Sequence, residues 1–165
     1  MIDQTVRFVT LSELIYINGC VLDDAAIRTG RRKVRDLALL EAAQQRPQAS
    51  AFGADAYPTL HDKAAALLHA LARNHPFTDG NKRTAATACV FMLRINGRCV
   101  TWDQAEALER ILAAAENRIA VPALAAWLPT ADCTPYPEPD AERDAALIAA
   151  ILVEQKWLLD ELARR

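Results

Sequence analysis

Apolar positions recur at helical spacing along most of this chain, and polar capping residues divide the pattern into segments. Thr10-x-x-Glu13 has the form of a capping box and predicts a short helix over about 11–18, with Gly19 as its stop. Residues 19–32 read as irregular. Val34, Leu37, Leu40 and Glu41 predict a helix over 34–45, which Arg46-Pro47 ends. The stretch 48–58, with Gly53 and Pro58, reads as loop. Thr59, with Asp62 three residues on, predicts the N-terminus of a helix over 60–73. Ala85, Ala88, Cys89, Met92 and Leu93 form the core stripe of a helix over 82–96 that Gly97 ends. Cys99-Val100 is a short strand-like link. Thr101-x-x-Gln104 predicts a helix to about 115, and Pro122 suits the first turn of another over 121–128. Pro129, Pro135, Pro137 and Pro139 then interrupt the pattern. Beyond them Asp140 caps an amphipathic helix to about 164, with Leu147, Ile148, Ile151, Leu152, Leu158, Leu159 and Leu162 on or near one face. The expected fold is all-α. Its expected parts are a helical domain over 1–130, a proline-rich linker over 131–139 and an additional C-terminal helix over 140–165.

Composition narrows the class. The chain has 165 residues, 52% of them apolar, and a net charge of −2. That length supports a core of ordinary size. The near-neutral charge argues against a globally basic nucleic-acid binder. No stretch reaches the roughly 18 apolar residues of a membrane span, and the first residues lack the basic and apolar blocks of a signal peptide. Cys20, Cys89, Cys99 and Cys133 are widely spaced, with no Cys-x-x-Cys pair. That spacing fits reduced thiols in a cytoplasmic protein better than a disulfide framework or a zinc site.

The chemistry concentrates in Asn74-His75-Pro76-Phe77-Thr78-Asp79-Gly80-Asn81-Lys82-Arg83. A helix begins directly after this loop, and a helix N-terminus offers unpaired N–H groups and a partial positive charge to an anion. Gly80 can turn those N–H groups toward one point. Asn81 can cap the helix or donate its amide to a phosphate oxygen. Lys82 and Arg83 place full positive charges against the helix dipole, an arrangement that makes sense when an anion sits among them. Asp79 is the natural Mg²⁺ ligand, since Mg²⁺ takes oxygen donors and shares them with phosphates. His75, with an ordinary pKa of about 6.5, can take a proton from a hydroxyl. Individually these residues have bland explanations: Asp-Gly-Asn is a common turn, and a lone histidine beside a loop is usually structural. Their order is what carries the signal.

Other polar features are less specific. Arg28, Arg31, Arg32, Lys33 and Arg35 form a basic cluster that reads either as a solvated loop or as a docking site for phosphate or an acidic partner. His61 and His69 lack a third ligand at metal-binding spacing and read as structural.

The loop resembles the signature of the Fic/Doc (Fido) superfamily, His-Pro-Phe-x-Asp/Glu-Gly-Asn-Gly-Arg-x-x-Arg, and most closely its Doc (death-on-curing) toxin branch. The match runs through Asn81. Lys82 then replaces the second glycine and Ala86 the second arginine, while the Asn-Lys-Arg ending is that of the Doc branch. Arg35-Asp36-Leu37-Ala38-Leu39-Leu40-Glu41 with Arg46-Pro47, and Tyr57-Pro58-Thr59-Leu60, are also similar to family segments, so the likeness covers roughly 7–128. It implies a compact helical domain with a short β flap at 50–58. It further implies a kinase that transfers the γ-phosphate of ATP, with Mg²⁺, to a threonine of translation elongation factor Tu, halting translation. On that reading His75 is the general base, Asp79 holds the metal and Arg73 stabilises charge in the transition state. Gly80, Asn81, Lys82, Arg83 and Arg35 bind phosphate. An antitoxin is the implied partner, and its helix is expected in a groove by the site. The tail helix then has three readings: it fills that groove in cis, pairs two protomers as a homodimer, or packs on its own domain. Thr134-x-x-x-Glu138-Pro139 is a poor match to the self-inhibiting helix of some Fic enzymes, so inhibition of that type is not expected. Two other functions remain open, namely transfer of AMP or another nucleoside monophosphate to a protein hydroxyl, and non-catalytic binding of a regulatory partner.

Overall fold

The computed structural model describes residues 5–23 and 33–165. Among them are eight α-helices and two small two-stranded sheets: α1 (Leu11–Val21), α2 (Leu37–Gln45), β1 (Ser50–Ala51), β2 (Ala54–Asp55), α3 (Leu60–Asn74), α4 (Asn81–Ile95), β3 (Arg98–Val100), α5 (Gln104–Ala115), α6 (Val121–Trp127), β4 (Thr130–Asp132), α7 (Ala141–Glu154) and α8 (Lys156–Ala163). The helical expectation holds, with the sheets added to it.

Helices α3 and α4 form the centre, and the other helices pack around them. Both are rich in alanine, which lets their backbones approach, and Leu67, Leu68, Leu71, Phe91, Met92 and Leu93 fill the space between neighbours. The loop 75–80 joins the C-terminal end of α3 to the N-terminal end of α4. One continuous core therefore supports both sides of that loop.

The predicted capping box at Thr10 forms, and the predicted helix start at Thr59 proves to be a capping box as well. Thr10 and Glu13 exchange side-chain and main-chain bonds at α1, and Thr59 and Asp62 do so at α3. Several boundaries differ. Gly19 does not stop α1; it is buried inside the helix, which runs on to Val21. The second helix begins at Leu37, not 34, because Asp36 caps it by accepting from Leu39 N. Val34 instead forms an antiparallel bridge with Phe77. Asp103, not Thr101, caps α5. Thr101 N is engaged by Pro129 O, which prolongs the β3–β4 ladder and delays the helix. The strand-like link at Cys99-Val100 is part of β3, paired with β4 in the register Arg98↔Asp132, Cys99↔Ala131 and Val100↔Thr130. The hairpin β1–β2 lies within the predicted flap, with Phe52 and Gly53 in left-handed conformations at its tip.

The C-terminal region is built into the domain. β4 crosses residue 130, and Tyr136 N donates to Ile95 O. Ile148, Ile151, Leu158, Leu159 and Leu162 belong to the same core cluster as Val9 and Phe91. Arg7 reaches Asp144 at 2.6 Å in a buried ion pair that ties the N-terminal segment to α7. The predicted single helix to 164 is broken at Gln155. The side chain of that residue is buried and accepts the Trp102 indole N–H at 2.9 Å, while the Gln104 side chain accepts Leu158 N. No described helix is long and apolar enough to cross a membrane. Arg28, Arg31 and Arg32 of the basic cluster, and most of the stretch 19–32, lie outside the described residues.

Candidate active site

His75 closes α3 in the left-handed region, at φ 50° and ψ 56°. That conformation is uncommon for a residue with a side chain, though histidine tolerates it better than most. Arg35 stabilises the turn by donating from Nε to His75 O at 2.7 Å and from Nη2 to Asn74 O at 3.1 Å. A cation thus satisfies the last carbonyls of a helix, where its charge also complements the dipole. The His75 ring is on the exposed side and makes no hydrogen bond among the described residues. Partial burial, then the charges of Lys82, Arg35 and Arg73, hold its pKa below the ordinary 6.5. The imidazole is therefore neutral at neutral pH and able to accept a proton.

The rest of the loop is braced from three sides. Arg35 N and Asp36 N donate to Pro76 O, and Thr78 N donates to Lys33 O. The phenyl ring of Phe77 is 2% exposed and anchors the loop in the core. Asn81 opens α4 and turns its amide back across the loop, accepting from Phe77 N at 2.9 Å and donating to Phe77 O at 3.0 Å. Of the two roles considered for Asn81, capping the helix or donating to a phosphate, capping is not observed, and its amide instead staples the loop. The N-cap itself is Gly80, with φ +75° and no side-chain cap. A Cβ at Gly80 would lie 3.1 Å from Leu22 and 3.3 Å from Val21, so a methyl group strains the left-handed backbone and makes those side chains give way.

Asn18 does work that the sequence reading missed. It is fully buried on α1 and donates from Nδ2 to Asp79 O at 2.9 Å and to Thr84 Oγ1 at 3.1 Å. The available signal was an amide inside the apolar run Leu14-Ile15-Tyr16-Ile17-Asn18, since a buried polar group must find partners.

Together these contacts leave a small polar pocket of about 140 Å³ against the N-terminus of α4. His75, Asp79, Gly80, Asn81, Lys82 and Arg83 all line it, so six of the eight predicted site residues converge. Arg73 and Arg35 do not line it. Arg73 is exposed and acts on His75 through its charge, and Arg35 is committed to the backbone at 74–75. Arg83 lies between Val21 O and the Asp79 carboxylate, 3.7 Å away. Lys82 Nζ donates to the main-chain oxygen of Arg165. The far wall is formed by Leu162, Ala163 and Arg165 at the end of α8. No flap residue lines this pocket.

Among the described residues, no cluster of three or more His, Cys, Asp or Glu side chains could cage a metal on its own. Mg²⁺ does not require one, since it is commonly held by one or two carboxylates together with substrate phosphates. The exposed Asp79 carboxylate, beside the cations Lys82 and Arg83 in the same pocket, suits that mode. His61 and His69 are elsewhere, bonded to Thr130 Oγ1 and Ile119 O respectively, as expected of structural histidines. A larger hollow of about 880 Å³ opens at the opposite end of α3 and α4, near Lys63 and Asn96, and contains none of the predicted site residues.

One loop of this helical domain thus gathers a neutral histidine, a carboxylate and two cations at the N-terminus of α4. Residues 8–93 match the model of the Fic/DOC family, and the chain belongs to that family. It is also similar to the protein named Toxin Doc from Mycolicibacterium smegmatis (strain ATCC 700084 / mc(2)155), with 63% identity over 68 residues. That alignment covers 41% of this chain and 52% of the relative, so it spans about half of the relative's length.

Proposed function

We propose that this protein is a toxin of the Doc kind that transfers the γ-phosphate of ATP to a threonine hydroxyl of a translation factor, elongation factor Tu being the expected target. The observation that carries the reading is the pair of cations at the start of α4, Lys82 and Arg83, both facing the pocket that His75 enters. Lys82 occupies the position of the second glycine in the Fic signature. Ala86, where that signature has its second arginine, is buried and uncharged. A glycine-lined cradle with two arginine clamps suits the α- and β-phosphates for AMP transfer, and this loop departs from it at both points.

In this reading the neutral His75 ring takes the proton of the target hydroxyl as its oxygen attacks the γ-phosphorus, the bond from that phosphorus to the β,γ-bridging oxygen breaks, and ADP leaves. Lys82, Arg83 and the N–H groups at the start of α4 stabilise charge on the transferring phosphoryl oxygens. Phosphoryl transfer needs mainly such positioning and electrostatic stabilisation. Arg73 holds positive potential behind the base. Asp79 would hold Mg²⁺, which when bound would supply positive charge to offset that of the phosphates. The similarity to a protein named Toxin Doc supports an antitoxin partner and action inside the cell.

One observation favours AMP transfer as the second reading. The Lys82 amine is drawn toward Arg165 O, so it does not fill the space that a glycine would leave open. Purified protein with Mg²⁺, a bacterial lysate and ATP labelled at the γ- or α-phosphate separates the two, with His75→Ala as control. Label from the γ-position only is the expected result, in a band of elongation-factor mass. Label from the α-position would overturn the kinase assignment. No label from either would move the protein to the non-catalytic class.

A further inference from the structure

A second hollow adjoins the anion pocket. Its volume is about 290 Å³, and it shares Arg83 and Ala163 with the smaller one. Val21 of α1 forms one side, Leu152 and Val153 of α7 another, and Leu159 of α8 the floor. Asp160 and Lys156 stand on its rim as an ion pair at 2.8 Å. Most of its lining thus comes from α7 and α8, which lie beyond the residues that match the family.

We propose that this hollow is the nucleoside subsite of the enzyme, taking the base and ribose of a nucleotide whose phosphates lie at the N-terminus of α4. The inference rests on the nucleotide-binding reading given above. Size is the first argument. Ligand pockets span about 300–1,000 Å³. The anion pocket alone accommodates phosphate groups and little more, whereas the two contiguous hollows together come within that range. Chemistry is the second argument. Aliphatic walls with a polar rim match a purine and its sugar: the ring lies between Val21 and Leu152, and the Asp160 carboxylate accepts from ribose hydroxyls or an exocyclic amine. Continuity is the third. Arg83 stands at the junction, where a planar guanidinium can both bind phosphate and stack on a base. The C-terminal helices would then serve as a substrate-binding wall that this chain adds to the family domain.

The test is a calorimetric titration of the full chain with Mg-ATP and, in parallel, with Mg-tripolyphosphate. Val153→Trp fills the hollow from a position that is 77% exposed, so it does not burden folding. Asp160→Asn removes the rim charge. ATP is expected to bind on the order of 10-fold more tightly than tripolyphosphate. Val153→Trp is expected to erase that difference while leaving tripolyphosphate affinity unchanged, and Asp160→Asn to weaken ATP alone by a few fold. Equal affinity of the native chain for the two ligands would overturn the subsite and leave the phosphate site standing. So would a Val153→Trp variant that affects both ligands alike or neither. Failure of both ligands to bind would overturn the nucleotide-binding reading itself, and the subsite with it.

Discussion

The Asn18 side chain donates to the main-chain oxygen of Asp79 at 2.9 Å, across 61 residues of sequence. That bond, with its companion to Thr84, fixes the carbonyl just before Gly80 and so aims the N–H groups that follow. The other face of the amide is less satisfied, because Asn18 Oδ1 is buried without a partner among the described residues. Asn18→Leu keeps approximate volume and removes both donors. It should cost about 1–3 kcal/mol, the penalty for leaving buried acceptors unpaired, read as a lower urea midpoint at unchanged m-value. Mg-ATP affinity should fall as well. Full affinity in a destabilised variant would show that Asn18 supports α1 without setting the loop.

Gly80→Ala separates backbone conformation from charge. A left-handed residue with a Cβ costs roughly 1–2 kcal/mol, and contacts at 3.1 and 3.3 Å to Leu22 and Val21 add to it. Transfer activity should drop at least 10-fold, since a misplaced anion site loses positioning, while circular dichroism stays helical. Activity within twofold of the native chain would mean that the loop relaxes around the methyl group.

The contrast between those two positions shows what could be read from sequence. Residues 73–83 are contiguous, so the histidine, the carboxylate and the glycine turn were all visible in one string, as were the helix caps at Thr10 and Thr59, which act over three residues. What was missed acts at long range. Asn18 and Asp79 are far apart in the chain, as are Gln155 and Trp102, whose hydrogen bond accompanies the break between α7 and α8. Arg35 was legible as important but not in its role, because only the fold brings it to the end of α3. Thr101 looked like a cap until the ladder to Pro129 engaged its N–H. Local chemistry was written locally, and tertiary competition decided the rest.

The tail also changes the meaning of its own deletion. Removing 135–165 would uncover the sites against which Ile148, Ile151, Leu158, Leu159 and Leu162 pack. At roughly 1.5–3 kcal/mol per fully buried aliphatic side chain, five of them match a typical domain stability of about 5–15 kcal/mol. The truncated chain should fail to give a cooperative melt. A soluble, cooperatively folding truncation would show instead that α7 and α8 are a dispensable addition.

The ion pair that holds α7 should make stability sensitive to acid. Burial raises the Asp144 pKa, but hydrogen bonds from Arg7, the Asp140 main chain and Arg143, with the Arg7 charge, outweigh it and lower the pKa below the ordinary 3.8. A carboxyl depressed in the folded state contributes stability above its unfolded pKa and loses it as pH falls through the folded value. The native chain should therefore lose stability below about pH 4. Asp144→Ala should cost about 3–5 kcal/mol at pH 7, because it leaves Arg7 buried with one partner fewer. Its melting temperature should also depend less on pH between 2 and 4. A parallel acid slope in native and variant proteins would assign acid lability to other carboxylates.

Burial, then Lys82, then Arg35 and Arg73 lower the His75 pKa, so its imidazole should titrate below 6.5 in the free protein. Proton-detected NMR of the ring resonances measures that midpoint directly, without requiring turnover. Lys82→Met removes the largest charge contribution, and the midpoint should move up toward 6.5. Arg73→Met should move it in the same direction by less. In activity, the acidic limb of the pH profile should follow the same midpoint, since only the neutral ring accepts a proton, and rates should fall as pH drops through it. An unmoved midpoint in Lys82→Met would show that solvent screens the pair. The low pKa would then belong to burial alone, and Lys82 would act on the bound phosphates and not on the base.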